Sequence, residues 1–141
     1  MDSNMRRSII LDNYESSDNR CRIEDSSYIK HNSRNVSCID NIDLYIKIED
    51  NIIKDIKFEG EACVISISTT SIMCKLLIGK SIDEAILIIK NYDNMIEEKE
   101  YNENILEEAI VFNDIYKQPA RKKCATLTWH GLLEELLKLK K

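Results

Sequence analysis

The regular alternation of apolar and polar residues over positions 42–49 limits the possible fold of this chain more than any other feature. Ile42, Leu44, Ile46 and Ile48 interleave with Asp43, Tyr45, Lys47 and Glu49. A period of two places one face of an extended strand on a core and the other toward water. Asp50 and Asn51 follow, two residues whose short polar side chains suit tight turns. Ile52, Ile56 and Phe58 then share one side of a second stretch, opposite Asp55, Lys57 and Glu59. The pattern predicts a β-hairpin, with Tyr28 and Ile29 beginning a further edge strand.

Beyond Gly60 the period changes. Val64, Ile67, Ile72 and Leu76 recur at helical spacing and the run stops at Gly79, predicting a helix over 62–78. Ser81 and Glu84 form a capping-box pair for a helix over 81–95. Further helices are expected over 5–16, over 104–112, and from residue 121 after the single proline, Pro119. In that last helix Ala125, Trp129, Leu132, Leu133, Leu136 and Leu137 make one apolar face. A helix, then strands, then helices is the signature of the α+β class: a small antiparallel sheet of about three strands with helices packed on one face. Residues 1–141 read as one domain, long enough to bury a core without crosslinks.

The formal charge of −5, with basic residues mixed among acidic ones, excludes a broad electrostatic grip on nucleic acid. The apolar run over 9–11 is too short for a secretory signal, and no stretch reaches membrane-spanning length. The expectation is a cytoplasmic protein with neither a nucleic-acid nor a membrane partner. Its five cysteines are odd in number and fit no secreted disulfide framework, so they are fillers, ligands or nucleophiles.

Four residues form a candidate constellation. Cys38 and Asp40 stand at i and i+2 just before the hairpin, so in extended backbone they project to the same side. Cys63 lies just past the second strand, and antiparallel pairing returns that point to the start of the first. Cys124 stands near the start of the last helix beside Arg121, Lys122 and Lys123, where dipole and neighbouring charge are expected to favour a thiolate. Three thiolates and a carboxylate suit a tetrahedral ion, zinc above all. By spacing alone the set lacks paired Cys-x-x-Cys knuckles, and scattered buried thiols remain the alternative.

The motifs around these residues resemble the SufU branch of the IscU/NifU N-terminal domain family. Ile9-Ile10-Leu11-Asp12-Asn13-Tyr14 is similar to its opening helix, Ser37-Cys38-Ile39-Asp40 to its Cys-Gly-Asp loop, and Phe58-Glu59-Gly60-Glu61-Ala62-Cys63 to its second-cysteine segment. Ile78-Gly79-Lys80 resembles the helix stop that follows. The segment 119–129, with Pro119, Arg121, Cys124 and Trp129, is similar to the SufU form of the third-cysteine segment. Lys123 stands where IscU-type chains carry His, and the interval between Cys63 and Cys124 is long, resembling the SufU insertion at about 92–117. Ile39 replaces the family glycine, and Ser16-Ser17-Asp18-Asn19-Arg20 replaces a Pro-Arg-Asn-x-Gly stretch.

The resemblance implies iron–sulfur cluster assembly. In this reading zinc is held by Cys38, Asp40, Cys63 and Cys124, and Cys38 accepts persulfide sulfur from a SufS-type cysteine desulfurase for a downstream cluster-assembly scaffold. Arg121 is an auxiliary residue near the ligands. Two other readings keep the same four residues: an IscU-like scaffold holding iron or a transient [2Fe–2S] cluster, and a structural zinc-binding interaction module. Whether the chain counts as an enzyme, a zinc-dependent sulfurtransferase, depends on which holds. Outside the constellation the plain readings prevail: Cys21 is a surface thiol, Cys74 and Trp129 are core, and His31 is not a ligand. His130 is structural or half exposed, and Lys122 and Lys123 belong to a solvated face.

Overall fold

A computed structural model of the protein describes residues 1–35 and 39–140. The elements run in the order α1 (Ser3–Glu15), β1 (Ile29–Arg34), β2 (Asn41–Glu49), β3 (Ile52–Glu61), α2 (Val64–Leu77), α3 (Ile82–Ile96) and α4 (Pro119–Leu139). The three strands form one antiparallel meander in the order β1-β2-β3. The architecture is the α+β sheet-and-helix arrangement expected from the chain.

The hairpin turns through Asp50 and Asn51, both at positive φ (52° and 66°), the geometry of a type I′ turn that matches strand twist. One departure from simple alternation follows. The register shifts between Lys47 and Ile48, so that Lys47 faces Asp55 while Ile48 faces Ile53. Lys54 is the extra residue of a bulge, and this puts Ile53, not Ile52, in the core beside Ile56 and Phe58. Gly60 is required where β3 ends: its φ is +139°, and a Cβ there would run into the Asn41 carbonyl of β2. That close approach brings the end of β3 against the start of β2.

Helix α2 is buried along nearly its whole length, from Ser66 to Leu77, between the sheet, α1 and α4. Ser81 and Glu84 form the expected capping box of α3, with Glu84 N donating to Ser81 Oγ (3.1 Å) and Ser81 N to Glu84 Oε1 (3.3 Å). Tyr92 of α3 stacks on Trp129 of α4 at 3.8 Å between ring centres. The helix expected over 104–112 is instead a series of 3₁₀ turns, Glu103–Ile105, Glu107–Phe112 and Ile115–Lys117. Glu107 takes positive φ (47°), which interrupts an α-helical ladder, while Leu106, Ala109, Val111, Phe112 and Ile115 still reach the core. Helix α4 begins at Pro119, with proline at the first helical position where its missing N–H costs nothing.

Residues 19–21, a featureless polar stretch in sequence, lie along the free edge of β3. Cys21 N donates to the Phe58 carbonyl (2.9 Å) and Phe58 N to the Asn19 carbonyl (2.8 Å). The edge is thereby covered without a fourth strand. No helix among the described residues is long and apolar enough to cross a membrane.

Candidate metal centre

Asp40, Cys63 and Cys124 come from three separate places in the fold and meet at one corner. Asp40 immediately precedes β2, and Asn35 N donates to its carbonyl (3.0 Å), tying the end of β1 to the start of β2. Cys63 is the N-cap of α2, and the pairing of Asn41 with Glu61 sets it beside Asp40. Cys124 lies on the second turn of α4, 2% exposed. Their two sulfurs and a carboxylate oxygen all lie within 4.8 Å of one another. Cys38 lies outside the described residues.

The Asp40 carboxylate, on a residue 1% exposed, is clamped at both oxygens. Cys63 N donates to Oδ1 at 3.0 Å, and the Ser66 hydroxyl donates to Oδ2 at 2.6 Å. An acid from outside the helix thus caps the first turn of α2, a place where negative charge is favoured by free amides and the helix dipole.

Cys124 corrects the expectation of a thiolate favoured by position. Burial, followed by the nearby Cys63 and Asp40, holds its thiol well above the ordinary range. The residue sits one turn too deep to meet the free amides of α4, and the lysines beside it point elsewhere: Lys122 pairs with Glu97 (3.2 Å) and Lys123 is exposed. Two thiols and a carboxylate pressed together in a buried corner repel one another when ionised, and a cation relieves that repulsion. The donor set therefore fits a divalent ion of the zinc type.

Arg121 is exposed and lines a cleft of about 500 Å³ with Tyr14, Cys63, Val64 and Gln118. Among the described residues no hydrogen bond or ion pair joins its guanidinium to Asp40, Cys63 or Cys124. Ile39, in the place of the family glycine, is 69% exposed. Cys21 is exposed, and Cys74 is buried in the core, where desolvation raises its thiol further. His31 meets Glu135 at 2.6 Å and His130 meets Asp93 at 2.7 Å.

Sequence reasoning did not single out Ser66. The signal was present as Ser and Thr at 66, 69 and 70 on a helix otherwise built to be buried. These hydroxyls form a ladder toward α4: Ser66 to the Cys124 carbonyl (3.2 Å), Thr69 to the Ala125 carbonyl (3.4 Å), and Thr70 against Thr128 Oγ1 (2.8 Å). Tyr92 donates to the same Ala125 carbonyl (2.7 Å) and Trp129 Nε1 to Thr69 (2.8 Å). This buried network fixes α4, and Cys124 with it, against α2.

Residues 5–125 match the family described as the NifU-like N terminal domain. The iron-sulfur cluster assembly scaffold protein IscU of Thermotoga maritima is 38% identical over 130 residues, spanning 92% of this chain and 91% of its own. The zinc-dependent sulfurtransferase SufU of Bacillus subtilis is 38% identical over 127 residues, spanning 89% and 85%. Among solved structures, FiSufU of Fervidobacterium islandicum AW-1, from the SUF system, superposes with a TM-score of 0.86 at 36% identity, covering 93% of this chain and 96% of its own. The N-terminal NifU-like protein of Brucella abortus has the same fold, with a TM-score of 0.82 at 18% identity.

Proposed function

The chain belongs to the family of NifU-like N-terminal domains, and from that premise we propose that it takes up sulfur for iron–sulfur cluster assembly, with Cys38 as the acceptor. The observation that carries this reading is the meeting of Asp40, Cys63 and Cys124 within 4.8 Å. In this reading Cys38, separated from Asp40 by one residue in sequence, is the fourth ligand, giving three sulfurs and one carboxylate. Zinc would be held by these four residues, and when bound it supplies deprotonation of its thiol ligands at neutral pH.

The chain's own residues do the remaining work. Asp40 is a harder ligand than sulfur, which leaves the set open to rearrangement. The Cys38 thiolate attacks the outer sulfur of the persulfide on a cysteine desulfurase. A sulfur–sulfur bond forms at Cys38, the bond to the donor cysteine breaks, and the donor leaves as a thiolate, with no external oxidant or reductant. The cleft lined by Tyr14, Val64 and Arg121 offers a mixed apolar and cationic rim beside Cys63 for a partner. Lys123 before Cys124, and the 38% identity to a zinc-dependent sulfurtransferase, favour this reading.

The equal identity to the Thermotoga maritima scaffold favours a second reading, in which the same residues hold a transient [2Fe–2S] cluster as cargo. Desulfurase turnover with and without the purified chain separates the two. Stimulation that disappears in Cys38→Ala, with one added sulfur atom on Cys38 by mass spectrometry, supports sulfur transfer. No stimulation, with a coloured and oxygen-labile product after anaerobic reconstitution, supports the scaffold.

A further inference from the structure

One hydroxyl touches all three described members of the metal corner. Ser66 Oγ donates to Asp40 Oδ2 at 2.6 Å, lies 3.2 Å from the Cys124 carbonyl, and can accept from the Cys63 thiol at 3.5 Å. Ser66 is 1% exposed and stands three residues after the N-cap of α2. In an ordinary capping box that position carries Glu or Gln, reaching back to the N-cap amide. Here the N-cap amide is served by Asp40, and Ser66 grips the other oxygen of the same carboxylate.

We propose that Ser66 is a positioning residue of the metal centre, its hydroxyl fixing the Asp40 carboxylate in the plane from which it binds an ion. The inference rests on the metal reading above and adds to it a residue that is not itself a ligand. With Cys63 N on Oδ1 and Ser66 on Oδ2, the carboxylate is held against rotation at both of its oxygens. A short bond to a charged acceptor in a buried corner is of the strong kind. The Cys124 carbonyl, within reach of the same hydroxyl, links the backbone of the opposite ligand to this clamp. Ser66 thus sets the separation of carboxylate and sulfurs before any ion arrives, the role that outer hydrogen-bond partners play around metal ligands.

The test compares wild type, Ser66→Ala and Ser66→Thr by zinc competition against a chromophoric chelator and by the visible spectrum of the cobalt-loaded protein. Ser66→Ala is expected to weaken zinc binding by about 10–100-fold and to alter the cobalt bands, while Ser66→Thr, which keeps the hydroxyl, stays near wild type. If Ser66→Ala does not fold, the same titrations are run with all three chains in an excluded osmolyte such as sucrose, which favours the compact state without restoring the hydroxyl, and the same expectation holds. Wild-type affinity with an unchanged cobalt spectrum in the hydroxyl-less variant overturns the proposal alone. A wild-type chain that takes up neither zinc nor cobalt overturns the metal reading beneath it.

Discussion

Helix α4 carries two clusters of metal-ligating residue types, one at Cys124 and one around Glu134 and Glu135, and they differ in charge. At the first, Cys124 meets Cys63 and Asp40, so all three groups are acids. At the second, His31 of β1 stands between two carboxylates, with Nδ1 2.6 Å from Glu135 and Nε2 3.6 Å from Glu134. Burial alone would raise the Glu135 carboxyl, but its bonds from His31 and Lys138 outweigh that and hold it low. The second cluster has a cation beside it in Lys138, 3.4 Å from Glu135, and a hydrogen-bond partner in His31. The first has no cation among its members. Proximity of ligand types is common to both, and the charge balance tells them apart.

Asp40→Ala attacks the first cluster and has the largest expected effect. Zinc affinity, read by chelator competition, falls by more than about 100-fold, exceeding the loss of an outer-shell partner. Urea denaturation of the metal-free protein shows a further loss of about 2–4 kcal/mol, because the Cys63 amide and Ser66 hydroxyl are left buried without their acceptor. Retained affinity would break the comparison.

Gly131→Ala probes the second cluster through packing. A Cβ there meets the Ser33 hydroxyl and lies 2.9 Å and 3.0 Å from two atoms of the His31 ring, so these side chains must shift or β1 and α4 move apart. Denaturation should show a loss of about 1–3 kcal/mol with zinc stoichiometry unchanged. His31→Gln is milder, at about 1–2 kcal/mol, since Glu135 is only partly buried. It too leaves zinc stoichiometry unchanged, and a lowered stoichiometry would show that the balanced cluster is also a metal site.

The smallest effect belongs to His130, 55% exposed and bonded to Asp93. That bond, against a partial desolvation cost, raises its pKa above the ordinary 6.5. A raised folded-state value means the stabilisation is present in full below the unfolded value and disappears as pH rises through the folded one. His130→Asn should therefore cost a few tenths of a kcal/mol, about the worth of an exposed pair, at pH 5.5 and nothing measurable at pH 9. A loss that grows with pH would reverse the assignment.

The hairpin, the helices at 64–77 and 82–96 and the grouping of Asp40, Cys63 and Cys124 were legible in the sequence because each rests on local signals: a period, a turn pair, a cap, a motif. The bulge at Lys54 was not, since a register shift is a property of two strands together and the sequence of β3 alternates plausibly either way. The 3₁₀ turns after α3 kept their apolar residues but lost the α-helical period to packing against the body. The edge cover at residues 19–21 has no pattern of its own, because backbone amides alone make it.

By itself the sequence determined the α+β class, the elements in their order, and which side chains could make a metal centre, since hydrophobic periodicity and residue chemistry act at short range along the chain. Only the tertiary structure decided that Cys124 is a buried thiol held above its ordinary range rather than a ready thiolate, and that the Ser66 hydroxyl bonds the Asp40 carboxylate. Both depend on burial and on neighbours 26 to 84 positions away in sequence, where dielectric and a few tenths of an ångström set the outcome.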